Sequence, residues 1–581
     1  MRGRTLATLA LVLALLCGCA AETIELPSGA GTAGAIAYVP LDDRPDNVGR
    51  VKYLAESLGY ELKMPEADAY RTRLRGQPRN DSGTPYGDRA ALLTWVLEQE
   101  RSGCDRYVLS LDQLLSGGLV NSRSMARSEP IALPDGRVLT EAEAAETLLT
   151  ALLADGNNRV WLLDSVMRLA PTVGYDHWDL AGYNALRAYG AEARPTLAGA
   201  ELTAENVEAA YRFGAERNEA LAPQAFSLTE REVEEYLAAR SRKLELSAKV
   251  LSRLCDDEEG TERFRVLIGI DDSSVEESIQ KNEIAYLSTM LREGDAILSG
   301  VDDLAFKAVA RLYLDETGWG GAHVGVTYVG GMEDRPACEY DSKPLREIVE
   351  EHFAFFDLTR DELTPEFSVL VLTQPADAGR RAEYIGALTD ALNAARRAHV
   401  PTVLIDASNG KFDASLYETL TKKTELGYLL AYAGFLDMAI VTGTAISHGA
   451  ARYAFLQNGG ATAETEAAFA KTLADSVIKD FCYKHAVRDQ VIARVREQQG
   501  NPDNFWEPRL DTEALRGFLT ERMDAAIGDV VKNLEKSGMI ASLTPYEERT
   551  WGALTAGGFT FPWDRAFEID MELGTGAWKK R

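Results

Sequence analysis

The feature that most constrains this chain is a recurring pattern. Short runs rich in Val, Ile, Leu and Tyr are each followed by a polar cluster and then a longer amphipathic segment. That alternation is the rhythm of strand and helix in an α/β fold. The clearest strands are residues 36–41, 107–111, 160–163, 266–270, 296–301, 323–329, 368–373, 401–405 and 438–442. Most lack polar alternation, which predicts strands buried on both faces in a mainly parallel sheet or barrel.

The ends of the chain read differently. Residues 1–19 carry Arg2 and Arg4, an apolar run over 6–16 and the junction Leu16-Cys17-Gly18-Cys19. This is the pattern of a lipoprotein signal peptide, with Cys19 as the lipid-bearing residue. The run is too short to cross a bilayer comfortably. The expected protein is therefore extracytoplasmic, tethered to the bacterial cell membrane and touching it through the anchor only. Residues 20–34 read as a flexible tether. The remaining length, about 550 residues, exceeds what one core supports and predicts two or three domains. We expect an α/β domain over 35–357, either a (β/α) barrel or a doubly wound sheet. It carries a helical insertion at about 180–260, whose charged segment 229–255 reads as an exposed helix. A boundary at 357–365 leads to a second, smaller α/β domain over 366–480. A helical C-terminal region over 481–581 ends in an aromatic tail around Trp551, Phe559, Phe561 and Trp563, which should dock on the body.

Several function classes are disfavoured. Acidic residues outnumber basic ones by 28, which speaks against nucleic acid, since phosphate binding needs basic patches. Cys104, Cys255, Cys338 and Cys482 are too scattered for a zinc site or a CxxC motif. No HExxH or GxSxG is present. Gly29 to Gly34 fits GxGxxG but precedes the first strand, so chance in a glycine-rich linker explains it. His448 reads as a core or loop histidine. No cofactor is indicated; Ca²⁺ or Mg²⁺ held by aspartates alone is the rival reading of the acids.

The acids themselves are informative. Asp42-Asp43, Asp112, Asp164, Asp271-Asp272, Asp302-Asp303 and Asp406 each follow or end an expected strand. In α/β folds the carboxyl ends of parallel strands share one face, where ligands bind. An Asp there also caps the next helix, but adjacent acids repel and gain nothing from capping twice. The run Val266-Leu-Ile-Gly-Ile-Asp-Asp-Ser-Ser274 delivers two carboxyls to a strand's mouth. A desolvated member of such a pair holds its proton while a solvated neighbour stays ionised. Arg44 beside Asp42 and Asp43 can hold acids ionised or grip a ligand. In Ser116-Gly-Gly-Leu-Val-Asn-Ser-Arg123 the glycines let the backbone approach a ligand, and Arg123 can enter the same cleft.

Together, Tyr38-Val-Pro-Leu-Asp-Asp-Arg-Pro45, residues 116–123, Met167-Arg168, Asp271-Asp272 with Asn282-Glu283, Asp302-Asp303 with Ala310-Arg311, and Asp406 with Asn409-Gly410 resemble the bacterial DUF4127 family. The resemblance spans residues 36 to 451 and implies one coherent unit without supplying a reaction. Where members carry a Gly-Trp-Asn-Thr-type segment, this chain reads 433–440 with Leu436 and Ile440 in place of polar groups. The leading expectation is a carboxylate-dependent hydrolase acting on an oligosaccharide or other small molecule, with Asp271 and Asp272 as its acid/base pair. Asp42, Asp43, Arg44, Asp112, Arg123, Arg168, Asp302, Asp303, Asp406 and Asn409 would bind substrate. The alternatives are a non-catalytic binding lipoprotein with a cleft between two α/β domains, and a divalent-metal hydrolase.

Overall fold

The computed structural model describes residues 33–580 except 217–218, 257–261, 276, 413, 435–437, 499–504, 506–509 and 577. The expected signal peptide over 1–19 with Cys19, most of the expected tether over 20–34 and Leu436 lie outside the described residues.

Two parallel sheets form the frame. The first contains β1 (Gly34–Val39), β2 (Tyr60–Lys63), β3 (Arg106–Ser110), β4 (Arg159–Val166), β5 (Phe264–Ile270) and β6 (Ala296–Ser299). They lie in the order β2-β1-β3-β4-β5-β6, every neighbouring pair parallel. The second contains β7 (Ala322–Val329), β8 (Leu358–Arg360), β9 (Phe367–Thr373), β10 (Thr402–Ala407) and β11 (Ala431–Gly434). Its order is β8-β7-β9-β10-β11, again all parallel. The sheets are open, so the barrel alternative is not what the chain adopts.

Burial on both faces is visible within single strands. Ile36 and Tyr38 of β1 enter one core while Ala37 and Val39 enter another. Val369 and Val371 of β9 join the core that Ile36 joins, and Leu370 and Leu372 point into a third. The middle core is thus shared by both sheets, with the helices Leu304–Glu316 and Met438–Asn458 supplying Phe306, Val309, Ala445 and Ile446 between them.

Three boundaries differ from expectation. Residues 323–329 pair with β9, so the change of sheet falls before residue 322 and not at 357–365. Residues 438–442 open a helix, because a short apolar run carries no period that separates strand from helix. Gly443 and Gly449 in that helix allow close approach: a Cβ would stand 1.9 Å from Asp303 Oδ2 and 2.2 Å from Val403. The C-terminal region is not purely helical. After the helix Thr512–Lys536 come β12 (Gly538–Leu543), β13 (Tyr546–Thr550), β14 (Leu554–Thr560) and β15 (Asp570–Thr575), paired as antiparallel hairpins. Glu or Gly interrupts β13, β14 and β15, which lowers their strand propensity and hid them. The tail does dock: Trp551, Phe559 and Phe561 are buried.

The charged helix Glu230–Cys255 starts at a capping box of Thr229 and Glu232. It is not a solvated helix throughout, since Arg240, Arg242 and Lys243 are buried and ion-paired to Glu283, Glu141, and Asp112 with Asp164. Among the described residues no helix is long and apolar enough to cross a membrane.

Candidate functional site

The carboxyl ends of β1, β5 and β6 meet residues after β10 and from the C-terminal tail around a cleft of about 1160 Å³. Such a place, outside the carboxyl edge of a parallel sheet, is where α/β folds bind ligands. Of the residues singled out in the sequence, Arg44, Arg123, Arg168, Asp271, Asp272, Asp302 and Asn409 line it.

Each carboxylate in this set faces a guanidinium. Asp271 accepts from Arg123, whose Nη1 also donates to Thr172 Oγ1 at 3.1 Å. Asp272 accepts from Arg168 at 2.9 Å, and Arg168 is aimed by donating to the carbonyls of Ala170 and Pro171. Arg44 spreads its planar fork between Asp302 and the fully buried Asp42, the bidentate use for which arginine is suited. Asp42 is further held by the Arg44 amide and Asn47, each at 3.0 Å. The Trp563 ring lies 4.6 Å from the Arg44 guanidinium, and its indole N–H donates to Asp43 at 2.9 Å. Asp42 and Asp43 therefore stand behind the lining, fixing the groups that face the cleft.

The two neighbours after β5 differ in environment. The Asp271 side chain is 3% exposed and that of Asp272 21%. Burial pushes the Asp271 carboxyl above its ordinary range, with Arg123 opposing, and the adjacent Asp272 charge adds to the rise. Burial likewise raises Asp302 against the pull of Arg44.

The second sheet contributes a pairing that sequence reading missed. His485 lines the cleft from a π-helical segment, Val477–Val487, a geometry frequent at functional sites. Its Nε2 lies 2.8 Å from Asp406 Oδ2. Asp406 also accepts from the Ser408 amide at 3.1 Å, the Ser408 hydroxyl and the Tyr432 hydroxyl at 3.2 Å. Burial would raise this carboxyl, but His485 and Ser408 outweigh it and the net shift is downward. Asp406 thus acts behind His485 and does not line the cleft. Asp406 was expected at the site, but nothing in the spacing announced His485 as its partner. Trp563, Tyr183 and Tyr340 also line the cleft; of these only Trp563 lay in a segment already marked for docking. Asn409, at φ +48, aims its amide toward the Ala337 carbonyl at 3.4 Å. Ile440, one of the two apolar replacements in 433–440, lines the same cleft.

Two expected site residues lie elsewhere. Asp112 turns inward on the first turn of the helix Leu111–Ser116 and accepts from Lys243 at 2.6 Å and Ser165 at 2.7 Å, with Asp164 sharing the same lysine. Asp303 points between the sheets to Lys307 at 3.0 Å, both fully buried, and burial pushes its carboxyl up to about 6 against that lysine. His448 is a core histidine between Phe306 and Phe469, its pKa pushed down to about 3 by burial. Among the described residues no three His, Cys, Asp or Glu gather as a metal site.

No curated protein and no solved structure matches the chain. Residues 36–572 match the family described as "Protein of unknown function (DUF4127)", a span that runs past residue 451 to take in His485 and Trp563. The frame, the cleft and both of its carboxylate-bearing edges all fall inside that span, and the chain belongs to the DUF4127 family.

Proposed function

We propose that this cleft is the active site of an extracytoplasmic, lipid-anchored hydrolase acting on a glycan, with Asp271 and Asp272 as its acid/base pair. The observation that carries the reading is the unequal environment of two adjacent carboxyls opening onto one cleft. Environments that push neighbouring titratable groups apart assign them separate roles. Asp271, desolvated, gives its proton to the leaving oxygen as the glycosidic C–O bond breaks. Asp272, ion-paired like Asp271 but more exposed, takes a proton from the water that forms the new C–O bond, so one water is consumed per bond cleaved. The aromatic faces of Tyr183, Tyr340 and Trp563 suit the apolar faces of sugar rings, and Arg44, Arg168 and Asn409 suit hydroxyls or carboxylates. His485, held by Asp406, brings a second titratable pair to the cleft's edge from the other sheet.

A panel of nitrophenyl glycosides and oligosaccharides, offered to protein lacking residues 1–19, tests the reading. Hydrolysis of at least one is expected, and a folded protein that turns over none contradicts it. Lipid attachment is tested in the same work by fractionation, since Cys19→Ala should release the protein from the membrane.

A second reading, a non-catalytic binding cleft, is favoured by the guanidinium partner that every lining Asp already has. It is separated by the response to Asp→Asn changes, which lower affinity by degrees in a binding protein and abolish turnover in an enzyme. The metal-dependent alternative is weakened by Arg44, whose charge stands between Asp42 and Asp302 where a cation would need to sit.

A further inference from the structure

A second cleft, of about 760 Å³, shares Arg123 with the first. Its own lining is rich in guanidinium: Arg73, Arg75, Arg79, Arg123, Arg127 and Arg231, against the carboxylates of Glu129, Asp176 and Glu235. In a chain with a net charge of −28 this local gathering of positive charge is unusual, although part of it is paired within the fold, Arg123 with Asp271, Arg73 with Asp68 and Arg231 with Glu235. Glu235 is engaged by Arg231 at 2.8 Å and lies 3.7 Å from His177, while Glu129 accepts from Tyr86 and Arg89. Arg79 donates to the Gly83 carbonyl, which positions the guanidinium without neutralising it, and Arg127 has no ionic partner among the described residues. Most telling is Arg123, which is 5% exposed. Its two terminal nitrogens are committed to Asp271 and Thr172, yet its buried Nε has no hydrogen-bond partner among the described residues. A buried donor left unmade is costly, so the Arg123 guanidinium gains a bond if it shifts to meet an anion.

We infer that this second cleft is a subsite for the negatively charged part of the substrate, a carboxylate-bearing sugar of a short acidic oligosaccharide that extends past Arg123 toward Asp271. The inference rests on the hydrolase reading and names its substrate class. Guanidinium forks match carboxylates bidentately, and Tyr86 brings a half-buried ring beside them. A long polyanion is disfavoured by the acidic surface, whose repulsion reaches roughly 8–10 Å at physiological salt, whereas a short ligand is held by direct contacts. The arrangement also couples the two clefts. An anion that engages Arg123 draws its charge away from Asp271, so Asp271 holds its proton more firmly when the subsite is filled.

Calorimetric titration with glucuronate, glucose and sulfate tests the subsite on the full mature chain. Saturable glucuronate binding is expected, at least tenfold tighter than glucose. The double variant Arg79→Gln with Arg127→Gln, both exposed positions, should weaken glucuronate at least tenfold with an unchanged melting temperature. The same loss of charge at Arg397 and Arg494, both exposed and away from either cleft, should not. Equal binding of glucose and glucuronate, no dependence on Arg79 and Arg127, or binding of sulfate but not glucuronate would each overturn the assignment. Glucuronate binding that needs Arg79 and Arg127 in a protein that hydrolyses no glycoside would sink the hydrolase reading and keep the subsite. Hydrolysis with glucuronate binding indifferent to both arginines would do the reverse.

Discussion

Two pairs of carboxylates stand near the ends of strands in the same sheet and meet opposite fates. Asp112 and Asp164, at β3 and β4, are closed over by the helix Glu230–Cys255 and share the single ammonium of Lys243. Asp271 and Asp272, after β5, are divided between two arginines and open onto the large cleft. The residue types and strand positions are alike; the difference is what the rest of the chain lays over them. An acid at the mouth of a parallel strand is a site only where an insertion leaves it uncovered. Where one covers it, the acid becomes part of a buried ionic cluster whose members depend on each other.

The largest expected effect breaks the covered pair. Lys243→Met leaves two carboxylates buried without a cation, and denaturant unfolding should show a loss of about 3–5 kcal/mol; a loss below about 1 kcal/mol would mean the cluster is better solvated than its burial indicates. An intermediate effect should appear at Asp303, the other covered acid. Its carboxyl is raised from near 3.8 to about 6 in the folded protein, so the folded state binds the extra proton. The stability this group contributes is full below about pH 4 and is lost as pH rises through about 6. The difference in unfolding free energy between wild type and Asp303→Asn should therefore change across that window and be flat above it. The smallest effect belongs to the open pair. Arg168→Gln removes a partner from a carboxylate that water can reach, and should cost about 1 kcal/mol or less, read in the same denaturant experiment. If Arg168→Gln and Lys243→Met prove equally damaging, the contrast between open and covered acids fails.

Much of the frame was legible in the sequence, for physical reasons that also mark where it was not. Runs such as Val266 to Ile270 are apolar at every position because both faces of the sheet are buried, and this leaves a strong local signal. The run at 438–442 is mostly apolar too and opened a helix. The strands after Leu543 carry Glu and Gly and gave no such signal. At the site, Arg44, Arg123, Arg168, Asp271, Asp272 and Asp302 were readable because each sits at a strand end or in an adjoining motif. Asp112 and Asp303 were misplaced because strand-end position does not say which way the next turn points the side chain. His485 was invisible, since its partner Asp406 is 79 residues away and only the packing of the π-helical segment on β10 and β11 brings them together.

The central claim is that Asp271 delivers a proton to a leaving oxygen, and the most direct measurement is the pH dependence of kcat/KM for wild type and Asp271→Asn on two glycosides that differ only in leaving group, nitrophenyl and methyl. The account predicts wild-type activity that falls as pH rises through the raised pKa of Asp271. It predicts a loss of about 10²–10⁴ in the variant on the methyl glycoside, a smaller loss on the nitrophenyl one, and no alkaline limb. A variant that keeps both the rate and the alkaline limb on the methyl glycoside would contradict it.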